Sequence, residues 1–264
     1  MRYQQQKPSP ALAPYVASFW MGEVDVSPEQ IFHYRDIARS RVELLFLYEG
    51  TFDAPVTGVA GQGLHGPSSC PKPYRSSART LGLFGVQFYP HALPELFSIP
   101  AIDLANESVD LADFPGRQQA ALAEQIGLAG SFAERVRIMT LFLERRLQNA
   151  IPQNPAITSA IYQIRQTRGL INIRDLAQET AYSQRQFERL FKQQAGFSPK
   201  AYARIIRFES VIARYCQSAK SLTELAHECG YFDQAHFNHD FKTFTGYNPS
   251  QFFSYLANPF SANG

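Results

Sequence analysis

The hydrophobic and polar positions of this chain follow one period up to about residue 94 and another beyond it. In the first part, short apolar runs at residues 46–48 and 83–89 are separated by glycines and prolines. Residues 58–73 are rich in Gly, Pro and Ser, as turns and loops are. This pattern predicts a mainly β region built from short strands.

Helical periodicity begins behind Ser131, which has Glu134 three residues later and so matches a capping box. Apolar residues then recur at 132, 136, 139, 143 and 147, which predicts a helix over residues 132–147. This helix either covers the sheet or forms the seam of a homodimer. Residues 150–155 (Ala-Ile-Pro-Gln-Asn-Pro) follow, and two prolines in a short polar stretch are typical of a linker between domains.

Composition limits the class of protein. The chain has 264 residues, of which 45% are hydrophobic, so it can bury two cores and is not disordered. Three cysteines without a C-x-x-C pair predict neither a disulfide framework nor a cysteine zinc site and favour the cytoplasm. The polar N-terminus lacks the apolar region of a signal peptide, and no apolar run is long enough for a membrane span.

Charge is distributed unevenly. Residues 1–156 contain 13 Lys and Arg against 15 Asp and Glu, whereas residues 157–264 contain 12 against 8, so the two parts carry −2 and +4. An excess of +4 is compatible with nucleic acid but does not identify it, because many enzymes carry as much.

The basic part contains an internal repeat. Residues 172–182 align with residues 221–231 at an offset of 49, and after one extra residue the alignment continues at an offset of 50. The later pairs are Phe187 with Phe237, Phe191 with Phe241, Lys192 with Lys242, Gly196 with Gly246, and Pro199 with Pro249. Each copy reads as helix, short turn, helix, with the capping residues Asn172 or Ser221 first and Ser183 or Asp233 second. A further helix beginning at Pro199 joins the copies. Two copies are too few for a solenoid.

These residues resemble the AraC/XylS family of bacterial transcription regulators, whose DNA-binding region has two helix-turn-helix units joined by one helix. The resemblance covers residues 157–257 and is most specific at residues 183–199 (SQRQFERLFKQQAGFSP) and 230–249 (GYFDQAHFNHDFKTFTGYNP). Residues 1–150 resemble more weakly the sensor region of some members. The resemblance implies double-stranded DNA and RNA polymerase as partners, and it implies a small-molecule effector and a homodimer for the first region.

A recognition helix enters the major groove, where its first residues reach base edges. By analogy with the family, the expected base-contacting residues are Gln184, Arg185, Glu188, Arg189, Gln234, Ala235, Asn238 and His239. Arg can pair with guanine and Glu can accept from cytosine, so the first unit is expected to dominate specificity. The family often has Arg where this chain has His239, so the second unit is expected to bind more weakly unless that imidazole is protonated.

The remaining predicted sites are phosphate contacts and an effector pocket. The phosphate contacts are Ser183, Lys192, Ser198, Lys200, Arg204, Arg207, Lys242 and Asn248. For Lys192 and Lys242 the alternative is that they simply solvate a helix end near its negative pole. The pocket candidates are Trp20, His33, Tyr34, Arg35, His65 and Tyr74, with core or surface roles as the alternative.

Taken together, the sequence predicts an α+β protein. Residues 1–150 form a mainly β, barrel-like sensor domain with flanking helices, and 151–156 form the linker. Residues 157–257 form the all-α domain of two helix-turn-helix units, and 258–264 form a tail. We expect a sequence-specific DNA-binding transcription regulator without a cofactor or metal, which is not an enzyme because no nucleophile or phosphate-loop motif is present.

Two other interpretations stay open at this point. One is a metal-dependent β-barrel enzyme with a DNA-binding tail, which would use His33, His65 and His91 with Glu43, although the H-x-H spacing of such barrels is absent. The other is a helical interaction module that does not bind DNA.

Overall fold

The computed structural model describes residues 2–26, 31–53, 62–110, 113, 118–215 and 221–257. The first part contains the strands β1 (Arg2–Gln6), β2 (Val16–Asp25), β3 (Phe32–Asp36), β4 (Val42–Glu49), β5 (Gly63–His65), β6 (Lys72–Ser76), β7 (Thr80–Phe88) and β8 (Ser108–Asp110). The helices α1 (Ala92–Phe97), α2 (Gln118–Leu128) and α3 (Phe132–Leu147) belong to the same part, with a 3₁₀ helix at Ala101–Leu104.

The strands form two sheets. Six strands are ordered β1-β2-β7-β4-β5-β8 with antiparallel pairs throughout, and β3 pairs with β6 in a second, two-stranded sheet. Along the central strand β7, Phe84, Val86 and Phe88 lie in a core with α1, α2 and α3. The alternate residues Leu83 and Gln87 line a cavity on the other face. This period of two gives the sheet one face for its own core and another for a ligand.

The second part is entirely helical. It consists of α4 (Pro155–Gln166), α5 (Ile173–Gln178), α6 (Gln184–Ala195), α7 (Pro199–Tyr215), α8 (Leu222–Glu228), α9 (Gln234–Thr245) and α10 (Pro249–Ala257). Helices α5 and α6 form the first helix-turn-helix unit and α8 and α9 form the second. The buried face of α7, including Tyr202, Ile205 and Phe208, belongs to the same core as both units. The predicted α+β class is therefore confirmed.

Local capping chemistry sets the helix starts. Ser183 and Ser221 each accept a hydrogen bond from the third residue of their helix and receive the reciprocal bond of a capping box. Asn172 and Asp233 cap α5 and α9 through single side-chain bonds. The predicted helix over residues 132–147 is confirmed with the same bounds as α3.

Some elements differ from the sequence prediction. The polar segment of β1 pairs along its whole length with β2, and Gly63–His65, within the stretch expected to be turns, forms a strand between β4 and β8. Helix α4 starts at Pro155, behind the N-cap Asn154, so helical structure begins inside the predicted linker. Residues 258–264, the predicted tail, lie outside the described residues.

Candidate functional site

The exposed side of α6 carries the residues that the first unit was expected to present. Arg185, Glu188, Arg189 and Lys192 are exposed and recur every three or four residues, whereas Phe187 on the opposite side is fully buried. We call the four exposed residues the α6 stripe. The N–H group of Gln184 Nε2 donates to Glu188 Oε1 across 2.7 Å, so this carboxylate is held before any ligand arrives.

Helix α9 repeats this arrangement with different chemistry. Ala235, Asn238, His239 and Lys242, each fifty residues after its counterpart, are exposed and form the α9 stripe. Gln234 Nε2 donates to Asn238 Oδ1 across 3.2 Å, and Thr223 of α8 donates to Gln234 Oε1 across 2.8 Å. In the part of the chain that the structure describes, the N-terminal domain covers neither stripe, and both are open to a ligand.

The basic residues predicted to contact phosphate fall into two groups. Lys192, Lys200 and Lys242 are exposed. Arg204 is instead committed to the buried carboxylate of Asp240, and Arg207 donates to the carbonyl of Gly230 across 3.3 Å. The guanidinium groups of Arg204 and Arg207 thus join α7 to the second unit, and contact of these two residues with phosphate stays a prediction.

The polar residues of the predicted phosphate set lie at helix starts. Ser183 is exposed at the N-cap of α6, Ser198 accepts a bond from Ala201 N at the start of α7, and Asn248 is exposed before α10. Contact of these three residues with phosphate stays a prediction.

A cavity of about 530 Å³ lies between the two sheets and helix α7, a size typical of small-molecule sites. Aromatic side chains dominate its wall: Tyr3, Trp20, Phe32, Tyr34, Phe52 and Tyr74. Helix α7 closes one side with Phe208, Glu209 and Ile212. The cavity is thus shared by the two domains.

A buried ionic cluster forms the polar part of this cavity. Arg39 pairs with Asp36 and lies 3.5 Å from Glu43, and Trp20 Nε1 donates to Glu43 Oε1 across 2.7 Å. Burial raises the pKa of the Asp36 carboxyl to about 6, with Arg39 opposing the rise and Glu43 adding to it. Burial likewise raises the pKa of Tyr74 to about 12.

Four of the six predicted pocket residues, Trp20, Tyr34, His65 and Tyr74, line this cavity, and two do not. Arg35 instead stacks on the ring of Tyr247, 4.2 Å from its centroid, and His33 is exposed on the outer side of β3. These two positions are corrections, and they follow from strand alternation, because Phe32, Tyr34 and Asp36 are the residues of β3 that face inward.

The predicted pocket did not include Asp36, Arg39, Glu43 and Glu209, and Glu43 was named only for the alternative metal site. Glu43 stands between the apolar Val42 and Leu44 in a strand, and a charge inside an apolar run is the one local feature that singles it out. Glu209 lies in α7, which the sequence assigned only to the DNA-binding half.

Residues 37–41 connect the cavity to the helical domain, and we call them the connecting segment. Ala38 N donates to the carbonyl of Phe244, at the end of α9, across 2.9 Å. Ser40 donates twice to the Glu209 carboxylate, from its backbone N and its Oγ, each across 2.8 Å. Ile37, Ala38, Arg39 and Arg41 of this segment also line the cavity.

The residues expected of a metal-dependent enzyme are not assembled. Among the residues that the structure describes, no three His, Cys, Asp or Glu side chains are placed to share a metal ion. A nitrogen of the His91 ring lies 3.0 Å from the carbonyl of Pro14, and His65 Nδ1 lies 3.0 Å from Ser108 Oγ. No helix within the described ranges has the length and apolar composition needed to cross a bilayer.

Comparison with known proteins agrees with this geometry. Residues 176–255 match the model of a helix-turn-helix domain, and residues 4–110 match a domain of unknown function, DUF6597. An uncharacterized HTH-type transcriptional regulator of Haemophilus influenzae is 30% identical over 118 residues, covering 45% of this chain and 40% of the relative. The HTH-type transcriptional regulator ArgR of Pseudomonas aeruginosa is 30% identical over 77 residues, covering 29% and 23%.

A solved structure also shares this fold over most of the chain. ToxT from Vibrio cholerae superposes with a TM-score of 0.52 at 10% identity, covering 89% of this chain and 98% of ToxT. The helix-turn-helix domain at residues 176–255 and the two HTH-type regulators support the resemblance of this chain to AraC-family regulators. The matched regions span less than half of the length of either relative, and ToxT supports the fold alone. ToxT has also been solved with (E)-4-(8-methylnaphthalen-1-yl)but-3-enoic acid and with an unsaturated fatty acid.

Proposed function

We propose that this protein is a transcription regulator that binds operator DNA through α6 and α9. The observation that carries the proposal is the pair of exposed stripes, which two copies of one structural unit present at matched positions. An α-helix fits the major groove, and dimensions of B-DNA require the two helices to enter it about 34 Å apart, one turn from each other.

Selection of duplexes from a random pool by the full chain tests this proposal. A regulator enriches one family of sites, and binding weakens steeply between about 50 and 200 mM salt. Absence of enrichment and of salt-dependent binding would contradict DNA recognition and favour a helical interaction module.

Two variants then separate base contacts from phosphate contacts. Arg189→Ala is expected to weaken binding and relax the preference at one base position, whereas Lys192→Ala weakens binding to every sequence evenly. Arg79→Ala, directly before β7, removes an equal charge from an exposed position outside the helical domain and serves as the control. If Arg189→Ala reduces binding to all single-base variants equally, Arg189 contacts only phosphate.

We further propose that the cavity binds a small, mainly apolar effector that changes the arrangement of the domains. Support comes from the connecting segment, which lines the cavity and is bonded to α7 and to the end of α9. The small acids found with ToxT favour the same kind of site without identifying the ligand. A ligand that prefers one domain arrangement shifts the population toward it by its difference in affinity.

Thermal denaturation against a library of small apolar compounds tests for this effector. A true effector raises the Tm, changes operator affinity, and loses its effect on the operator when Glu209→Gln weakens the bonds to Ser40. A compound that raises the Tm without changing operator affinity would show a cavity unconnected to regulation.

A second copy of the chain is the remaining partner that we propose, with α3 as its contact surface. Leu141 on this helix is 44% exposed although it is a large apolar side chain. Sedimentation equilibrium of the native chain and of Leu141→Glu checks this, because a charge at the seam shifts a dimer toward monomer. Equal molar masses in solution for the native chain and Leu141→Glu would show that the dimer contact lies elsewhere or that no dimer forms.

A further inference from the structure

The two stripes occupy equivalent positions but offer different hydrogen-bonding groups. The pairs, first unit before second, are Gln184 and Gln234, Arg185 and Ala235, Glu188 and Asn238, Arg189 and His239, Lys192 and Lys242. Both helices are twelve residues long, both start at a side-chain N-cap, and both end at a glycine with positive φ. Because the scaffolds match, differences in what they recognise come from these side chains.

The first unit carries groups that suit G·C pairs. Arg185 and Arg189 each present a guanidinium, which pairs with the O6 and N7 acceptors of guanine. Glu188 presents a carboxylate, which accepts from the N4 amino group of cytosine. Its carboxylate is held by Gln184, so it reaches the groove in a fixed orientation.

The second unit carries groups that suit A·T pairs. Asn238 and Gln234 have amide groups that can pair with N6 and N7 of adenine, and Thr223 fixes the orientation of Gln234. Ala235 stands where the first unit has an arginine, and a methyl side chain contacts the methyl group of thymine. These three residues of α9, Gln234, Ala235 and Asn238, contain no group with a permanent charge.

An additional aromatic residue distinguishes the second unit. Phe232 is the extra residue of the repeat alignment, since Ser183 directly follows Tyr182 whereas Phe232 separates Tyr231 from Asp233. It is 85% exposed, more than any other large hydrophobic side chain that the structure describes, and it immediately precedes the N-cap of α9. The N-terminal end of a recognition helix is the part that reaches base edges, so the Phe232 ring lies at a position from which it can contact a thymine methyl group.

We infer that the operator is bipartite, with a G·C subsite read by α6 and an A·T subsite read by α9, in which Phe232 contacts a thymine methyl group. The inference rests on the proposed DNA binding and adds base composition to it. Contact with thymine buries an apolar ring that is 85% exposed in the structure, and this stabilises the complex without adding charge.

Sites selected by the full chain are the material for the test. We expect two conserved blocks about one helical turn apart, one rich in G·C and one rich in A·T. Ala235→Arg identifies the block beneath α9, because only that block changes its preference, and it is expected to move toward G·C. A selected site whose α9 block favours G·C, or tolerates every base, overturns the inference. Failure to select any site overturns the proposed function instead.

Deoxyuridine isolates the methyl group. Replacing each thymine of the A·T block by deoxyuridine in turn removes one methyl, and at one position the affinity is expected to fall about fourfold, the equivalent of one buried CH₂. The Phe232→Ala chain should lose about the same affinity for thymine DNA and show no further loss with deoxyuridine. Phe232→Leu keeps an apolar contact and should retain part of the response.

Two controls keep the result interpretable. Deoxyuridine in the G·C block, at any thymine present there, should not distinguish the native chain from Phe232→Ala. The Tm of Phe232→Ala should equal that of the native chain, since the ring is exposed and packs against little. Equal responses of the native chain and Phe232→Ala to every deoxyuridine substitution would show that Phe232 touches no thymine methyl.

Discussion

The ion pair between Arg204 and Asp240 gives the sharpest test of how the second unit is held. Arg204 of α7 contacts both carboxylate oxygens of Asp240, whose side chain is 1% exposed, whereas the Arg204 side chain is 34% exposed. His236 Nε2 lies 3.8 Å from the same carboxylate. The pair joins the recognition helix α9 to the helix that connects the units.

The two partners are expected to differ in importance because only one of them is buried. Arg204→Met leaves a buried carboxylate without its cation, and breaking a buried pair in this way costs about 3–5 kcal/mol. Since His236 is near and Arg204 is partly solvated, we expect a loss at the lower end, about 3 kcal/mol. Asp240→Asn leaves an arginine that water can reach, with an expected loss of about 1–2 kcal/mol.

Urea denaturation of the two single variants and the double variant measures these values. The double variant should lose at least about 1 kcal/mol less than the sum of the single losses, because each single change already breaks the pair. Arg214→Met, which breaks the more exposed pair with Glu228, should cost below about 1 kcal/mol and is the control. Equal effects of Arg204→Met and Arg214→Met, or additive losses in the cycle, would refute this reasoning.

The same variant decides whether Arg204 contacts phosphate. A structural arginine alters operator affinity only through the fold, so Arg204→Met should leave the salt dependence of binding unchanged at temperatures where it is folded. Lys200→Met, at an exposed site on the same helix, should lower that slope by about 1 if it contacts phosphate. A lower slope for Arg204→Met with unchanged stability would show that Arg204 contacts phosphate.

Three further changes probe the cavity. Gly85→Ala places a Cβ 2.3 Å from the Trp20 indole and should lower the free energy of unfolding, measured in urea, by about 1–3 kcal/mol. Its control is Gly127→Ala in α2, where the added Cβ has no described neighbour within 4 Å and should stabilise the chain by about 0.5–1 kcal/mol. Equal effects of the two changes would refute the close contact at Gly85. Glu209→Ala removes the acceptor of two Ser40 donors and should cost about 1–3 kcal/mol, with no loss arguing against the link. The Asp36 carboxyl has a pKa of about 6 in the folded chain against 3.8 ordinarily, so the folded state binds the proton more tightly than the unfolded state does. The stability that this proton binding contributes therefore falls as pH rises from about 4 to 6. The free energy of unfolding lost in this way is at most ~3 kcal/mol, and Asp36→Asn should abolish the loss. If the stability of Asp36→Asn, measured at several pH values, falls in parallel with that of the native chain, this reasoning is contradicted.

The helical domain could be predicted because its decisive features are local. Ser183 and Ser221 each lie three residues before a Gln or Glu that completes the cap. The buried residues Phe187 and Phe191 lie four residues apart in α6, as Phe237 and Phe241 do in α9. A repeat doubles the information, since each copy supports the interpretation of the other. The sequence therefore predicted that α6 and α9 begin behind Ser183 and Asp233, and it named the residues of both stripes.

The cavity could be predicted only in part, because it is made by contacts between distant segments. Trp20 and Tyr74 were predicted as aromatic residues in a β region. Glu209 stands 189 positions after Trp20 and lines the same cavity only because α7 packs on the sheets. Arg35 was misassigned because residue type was considered without strand register, which places it on the side that meets Tyr247. Its neighbours Tyr34 and Asp36 face the cavity.

The position of α7 determines what an effector can change. One face of this helix, through Tyr202 and Phe208, belongs to the core of both helix-turn-helix units, while Phe208 and Ile212 also line the cavity. A packed helix moves as a body, so a ligand that displaces its C-terminal half also displaces the surfaces against which α6 and α9 pack. A ligand bound equally well in both positions of α7 would change nothing, however tightly it bound. An effector that discriminates between those positions moves both stripes relative to the N-terminal domain, and is therefore expected to act on operator affinity through the placement of the stripes more than through the bases that either one contacts.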